Sequence, residues 1–188
     1  IGKMLPSDDD KCMVRDLIKP SDLIILVVPI DKAAPKGRLI LPQQMAIRDI
    51  LDGNATALVV KEDELENTLA TIGKKPFMVI TDSQVFELVD RITPKDIYLT
   101  SFSILMARYR GDLETTITGA RALDKLKNGD TVLIAEACTH HRQCGDIGTQ
   151  KLPNWINKHS GKKINYEFCS GTEFPDDLSK YNLIVHCG

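Results

Sequence analysis

The sequence has little that would direct it to nucleic acid, to a membrane or out of the cell. Its 188 residues carry 24 basic and 26 acidic side chains, so no positive excess is available to bind DNA, RNA or an anionic membrane surface. No apolar run approaches the roughly 20 residues that cross a bilayer. The first residues also lack the basic, apolar and small-residue order of a signal peptide. We therefore expect a cytoplasmic protein that binds neither nucleic acid nor membrane.

Phosphate-binding motifs and cysteine pairs are missing as well. Neither G-x-x-x-x-G-K-[ST] nor G-x-G-x-x-G occurs, so no nucleotide cradle is predicted. The five cysteines are an odd number and include no C-x-x-C pair, which argues against a disulfide framework and against the common structural zinc sites. In a reducing compartment, grouped cysteines serve metal binding or redox chemistry.

Apolar, β-branched runs alternate with amphipathic segments along most of the chain. The run from Leu23 to Pro29 is apolar on both faces, as expected for a parallel strand covered by helices on both sides. Parallel strands need crossover helices. The pattern therefore predicts an α/β fold with two small domains, whose mostly parallel sheets are flanked by helices. Strands are predicted over 23–29, 56–60, 77–81, 97–100, 131–137, 164–169 and 183–186, and helices over 42–52, 63–72, 83–92, 103–127 (broken near Gly111) and around Trp155.

The domain limits follow from this pattern. We expect residues 1–18, which include three consecutive aspartates, to form a linker. Residues 19–103 are expected to form the first domain and residues 104–188 the second. Among the helix starts, Asp63 with Glu66 three residues later predicts a capping box.

Side chains that bind soft or borderline metals are concentrated after residue 135. Two Cys and two His fall within residues 138–144, and one of each closes the chain at 186–187. Each group follows or ends a predicted strand, and in a parallel sheet these ends meet at one edge, where α/β folds bind ligands. Thiolate and imidazole suit a transition metal. The candidate ligands are Cys138, His140, His141, Cys144, His186 and Cys187.

One pair of these motifs is specific. Cys138-Thr139-His140, followed downstream by His186-Cys187, resembles HydF, the [FeFe]-hydrogenase maturation family, whose signature pairs C-T-H with a distal H-C-x-x-C. The similarity extends along the chain through less specific strings. These are Ile25–Ile30, Pro35–Ile40, Asp146–Gly148, Pro153-x-Trp155 and Leu183–Gly188.

The resemblance implies a role and a cofactor. In that family a dimerisation domain and an iron-sulfur domain follow a P-loop GTPase domain that this sequence does not contain, so the linker would come from that domain and this fragment would not be an enzyme. Three cysteines hold a [4Fe-4S] cluster: by position Cys138 and Cys187, with the third two residues beyond Gly188. The fourth ligand stays open among His140, His141, Cys144 and an exogenous group, and His186 would lie beside a ligand.

The implied partners are a second copy of the chain in a homodimer or higher assembly, apo-[FeFe]-hydrogenase and the other maturation proteins. The cargo would be a precursor of the hydrogenase di-iron subcluster.

Other interpretations of the same residues remain. A thiol- or zinc-dependent enzyme would use Cys138 or Cys144 as nucleophile and His140 as base. Cys169 lies in an apolar run and is predicted to be a core residue. Ser101 and Ser103 are predicted to cap a helix, since no G-x-S-x-G motif accompanies them.

Overall fold

The computed structural model describes residues 11–30, 39–111, 113–136, 147–171 and 173–187. Within these ranges lie seven strands and six α-helices, and the chain divides into two compact units, Ile1–Leu113 and Glu114–Gly188. Each unit contains one sheet, and all described strand pairs are parallel. The predicted α/β class is confirmed.

The first unit is a four-stranded sheet with order β2-β1-β3-β4. Because β1 and β3 are the central strands, they are buried along their whole length. The strands are β1 (Leu23–Val27), β2 (Thr56–Val60), β3 (Met78–Thr81) and β4 (Tyr98–Ser101), and the helices are α1 (Leu41–Asp52), α2 (Leu65–Thr71), α3 (Phe86–Ile92) and α4 (Phe102–Arg110).

The first unit has a core on each side of this sheet. Ile24 and Leu26 of β1 share one cluster with the buried residues of α1 and α4. Ile25 and Val27 share the other cluster with α2 and α3. Successive strand residues point to opposite faces, so the unbroken apolar run of β1 supplies both cores, as the sequence predicted.

The segment before β1 contributes to the first core and does not behave as a linker. Met13 is 1% exposed and Val14 is 0% exposed, and a short 3-10 turn follows at Arg15–Leu17. Two apolar residues among charged ones give no periodic signal, which is why the sequence placed 13–18 in a linker. Residues 1–10 of that expected linker lie outside the described residues.

The division between the units also differs from the expected position. The sequence placed it between 103 and 104, whereas the compact units divide between Leu113 and Glu114. The reason is α4, which begins at Phe102 and buries Phe102 and Leu105 in the first core. The predicted break near Gly111 is confirmed, because α4 ends at Arg110 and a separate helix follows.

The predicted capping box at Asp63 is wrong. A 3-10 turn at Glu62–Glu64 precedes α2, and Glu64 at the helix N-cap makes no side-chain capping bond. The Asp63 carboxylate instead accepts a 2.8 Å hydrogen bond from Lys61 Nζ. A local ion pair competes with the cap, and the helix starts two residues later.

The second unit is a three-stranded sheet with order β6-β5-β7. On one face Val132, Ile134 and Ile156 share a core, and on the other Leu133, Ala135 and Cys169 are buried. The helix around Trp155 packs against the sheet through Ile156, whereas Trp155 itself is 51% exposed. The elements are α5 (Leu113–Ala120), β5 (Thr131–Glu136), a π-helical turn (Ile147–Lys151), α6 (Leu152–Ser160), β6 (Asn165–Ser170) and β7 (Leu183–Cys187).

Candidate metal centre

The predicted ligand groups flank two neighbouring strands. β7 pairs with β5 in parallel, and the register places Cys187 opposite Glu136, the last residue of β5. Both residues therefore lie at the carboxyl edge of the sheet, the edge at which α/β folds bind their ligands. Cys138 follows Glu136 by two residues along the chain. The predicted ligands Cys138, His140, His141 and Cys144 lie outside the described residues.

His186 is placed on the other side of the sheet from Val185. It pairs with Ala135 and its side chain is exposed, whereas Val185 packs against the core under α6. An exposed imidazole beside Cys187 is free to make a hydrogen bond at the strand end. The resemblance implies that His186 lies beside a metal ligand, and a hydrogen bond from this position would orient such a ligand.

Glu136 is a buried acid at this edge of the sheet, to which the sequence analysis gave no role of its own. It is 7% exposed at the end of a strand whose other residues are almost all apolar. The backbone of Gly148 closes over its carboxylate so tightly that a Cβ built on Gly148 would lie 2.2 Å from Glu136 Oε1. In the sequence, Glu136 is a single acid at the end of an apolar run, two residues before Cys138 of the C-T-H motif.

Cys169 is a core residue, as predicted. It is 9% exposed and lies beside Ala135 on the central strand. Burial raises the pKa of its thiol, and the negative charges of Glu173 and Glu136 raise it further. A thiol held in the protonated form is a poor metal ligand and a poor nucleophile.

The remaining candidates for chemistry have structural explanations. Ser101 Oγ accepts a 3.2 Å hydrogen bond from Ile104 N and so caps α4, which confirms the prediction for this residue. Ser103 Oγ lies 2.8 Å from Ser83 Oγ. His159 Nε2 lies 2.8 Å from an oxygen of Asp124. No three His, Cys, Asp or Glu side chains form a metal-binding group among the residues that the structure describes.

Within the described ranges, no helix is both long and apolar enough to cross a bilayer.

No curated protein sequence matches the chain significantly. One solved structure, from a study of fatty acyl-adenylate ligases from E. coli and L. pneumophila, shares 13% sequence identity with a TM-score of 0.39. The alignment covers 86% of this chain and 34% of that protein, so the chain spans about a third of its length. A TM-score this low does not establish a common fold.

Two family models match consecutive parts of the chain. Residues 13–111 match the hydrogen maturase F dimerization domain, and residues 114–188 match the hydrogen maturase F tetramerization domain. These ranges agree with the two compact units, including the buried segment that begins at Met13. The second domain is named for tetramerization, and its name mentions no iron-sulfur cluster. The chain belongs to the hydrogen maturase F (HydF) family and contains its dimerization and tetramerization domains, which gives it a role in hydrogenase maturation.

Proposed function

We propose that this chain is a scaffold of [FeFe]-hydrogenase maturation that binds a [4Fe-4S] cluster at the carboxyl edge of its second sheet and delivers a di-iron precursor to apo-hydrogenase. Membership of the family supports the maturation role and self-association. The observation that carries the cluster site is the register of β5 and β7, which sets Cys187 beside Glu136.

Chain geometry supports convergence of the two thiols. Neighbouring strands lie about 4.8 Å apart, and consecutive Cα atoms are about 3.8 Å apart. Because only two Cα steps separate Cys138 from Glu136, we expect the chain to allow the thiols of Cys138 and Cys187 to bind one cluster.

The donor set fits iron and sulfide. Cysteine thiolates are the ligands that hold iron-sulfur clusters, so Cys138 and Cys187 would bind, and the third thiolate is the one that the resemblance places beyond Gly188. His140 is the candidate for a further ligand, and His186 and Glu136 would set the polarity around the site. A bound cluster with three thiolates supplies one iron that can accept an exchangeable ligand.

The partners follow from the family role. Each unit of the chain matches a domain named for self-association, dimerization for the first and tetramerization for the second. Apo-[FeFe]-hydrogenase and the other maturation proteins would be transient partners, and a reducing cytoplasm would keep the ligand thiols available.

Anaerobic reconstitution with iron and sulfide tests the proposal. The protein is expected to gain visible absorption and a paramagnetic signal on reduction. Cys138→Ala and Cys187→Ala should each reduce cluster content several-fold, while Cys169→Ala, which removes a buried core thiol whose raised pKa disfavours metal binding, should retain the cluster. A cluster that survives Cys138→Ala would overturn the proposal. Retention of zinc in place of iron, or a rapidly alkylated Cys138 with activity that resists iron chelation, would favour the thiol- or zinc-dependent enzyme.

A further inference from the structure

We call the segment Cys12–Asp16 the strap, because side chains of two helices hold it in place. In α1, Asp49 Oδ2 accepts hydrogen bonds of 2.7 to 2.9 Å from three consecutive N–H groups, those of Met13, Val14 and Arg15. Met13 and Val14 are buried in the core cluster that also contains residues of α1 and α4. Since three donors share one carboxylate oxygen, the position of the strap depends on a single acceptor.

Arg108 of α4 supplies donors to other polar groups of the strap. Its Nη1 lies 3.3 Å from the carbonyl oxygen of Cys12 and 3.2 Å from that of Met13. The guanidinium also pairs with the Asp16 carboxylate, with Nη1 3.0 Å from Oδ1. A planar guanidinium presents several donors in a fixed arrangement, so one arginine contacts three residues of the strap at once.

The same arginine belongs to the last turn of α4, which ends at Arg110. The fully buried anchors of this helix, Phe102 and Leu105, lie in its first half, and beyond them it packs through partly buried side chains. The last carbonyl groups of a helix lack partners within it, so a terminal turn of this kind opens at low cost. Arg108 therefore ties the weakest part of α4 to the strap.

We propose that the strap and the last turn of α4 form one cooperative device that docks and undocks together. In the docked state Arg108 keeps the turn helical up to Arg110, and release of the strap removes that anchor. The chain passes from the first unit to the second directly after this turn, between Leu113 and Glu114. A conformational change in the chain before Cys12 is thereby transmitted to the connection between the units.

The described contacts restrict this coupling to one face of the first sheet. Helices α2 and α3 pack on the other face, around a separate core cluster that includes Val89. The N–H group of Thr93 donates a 2.8 Å hydrogen bond to Val89 O at the end of α3 and reports on that face. If release of the strap only lowered the stability of the whole unit, this amide would lose protection as well.

Amide hydrogen exchange of the intact protein, read by mass spectrometry, tests the coupling from the α1 side. Asp49→Asn removes the charge that three amides of the strap share. We expect exchange to become about 10-fold faster both for residues 13–15 and for the last turn of α4, including the Gly111 amide, which bonds a carbonyl of that turn at 3.0 Å. The matched control Asp52→Asn alters an exposed pair with Arg48 on the same helix and should leave both regions unchanged.

Arg108→Gln tests the coupling from the α4 side. The amides of residues 13–15 keep their acceptor Asp49 in this variant, and we still expect them to exchange several-fold faster, because coupling between two sites is reciprocal. Arg110→Gln makes the same change in the same turn at an exposed residue and should have no such effect. The Thr93 amide should keep its protection in all four variants.

Three outcomes would overturn the proposal. In the first, Asp49→Asn speeds exchange of residues 13–15 while the last turn of α4 is unchanged, which would make the two segments independent. In the second, the Thr93 amide loses protection equally, which would make the effect a general loss of stability. In the third, residues 13–15 stay protected in both Asp49→Asn and Arg108→Gln, which would mean that neither side chain holds the strap.

Discussion

The carboxylate of Glu136 occupies the place in which a side chain at residue 148 would lie. A Cβ on Gly148 would come within 2.2 Å of Glu136 Oε1 and 3.0 Å of Glu136 Cδ. Because Glu136 is buried to all but 7%, its carboxylate has little freedom to move away. The contact fixes the π-helical turn before α6 against the end of β5, two residues before Cys138.

Gly148→Ala is therefore expected to lower the free energy of unfolding by about 1–3 kcal/mol, since the added methyl group overpacks a buried contact. Urea denaturation followed by circular dichroism measures the change. Gly119→Ala is the matched control, because nothing lies within 4 Å of its position and alanine favours a helix by about 0.5–1 kcal/mol.

The cause of this destabilisation can be isolated with a double-mutant cycle. In a Glu136→Ala background the methyl group of Gly148→Ala meets no carboxylate, so the same substitution should cost much less. An equal cost in both backgrounds would show that the glycine is needed for a reason other than Glu136.

Asp49 fastens the segment before β1 to α1. Its Oδ2 accepts hydrogen bonds of 2.9, 2.7 and 2.7 Å from the backbone N–H groups of Met13, Val14 and Arg15. Asp49→Ala leaves those donors without this acceptor and is expected to cost about 3 kcal/mol or more of stability. Asp49→Asn keeps the shape and loses the charge, and should cost about 1–2 kcal/mol.

Asp52 on the same helix is the control for this prediction. It forms an exposed i,i+4 pair with Arg48, and Asp52→Ala should cost less than about 0.5 kcal/mol. Both effects are measured by denaturant unfolding. If Asp49→Ala were as mild as Asp52→Ala, the three backbone contacts would not hold the segment.

How far the sequence predicts this structure depends on the range of the contacts involved. The strand over Leu23–Val27 and the break at Gly111 follow from local pattern and were predicted. The burial of Met13 and Val14 was not, because it depends on Asp49, which lies 35 residues beyond Val14. The closeness of Glu136 to Gly148 was missed for the same reason. Long-range backbone contacts of this kind leave no periodic signal in the sequence.

The ion pair of Arg108 and Asp16 gives the first unit a pH dependence. Burial acts to raise the pKa of Asp16, but the hydrogen bonds of Arg108 and Cys12 and the charge of Arg108 together outweigh it and hold the pKa below its ordinary value of 3.8. Arg108 Nη1 lies 3.0 Å from Asp16 Oδ1. A carboxylate with a depressed folded pKa stabilises the fold above its unfolded pKa, and this contribution is lost as pH falls through the folded value.

Asp16→Asn should accordingly be less stable than the natural protein near pH 7, by no more than about 1 kcal/mol, since the Asp16 side chain is 43% exposed and solvent screens the pair. Below about pH 4 the difference is expected to shrink as Asp16 is protonated. Unfolding free energies of both proteins at pH 7 and pH 3 measure this, and a difference that grows on acidification would contradict it.

Cys169 should be the least reactive of the described thiols. Burial raises the pKa of its thiol first, and the carboxylates of Glu173 and Glu136 add to the effect, so little thiolate forms at neutral pH. Alkylation by iodoacetamide, mapped by mass spectrometry, should modify the partly exposed Cys12 at least 10-fold faster than Cys169. The rate at Cys169 should rise to that of Cys12 once urea unfolds the second unit, because exposure restores the ordinary pKa. Fast alkylation of Cys169 in the folded protein would mean that this strand opens readily, and Cys169→Ala would then no longer be a sound control for the cluster ligands.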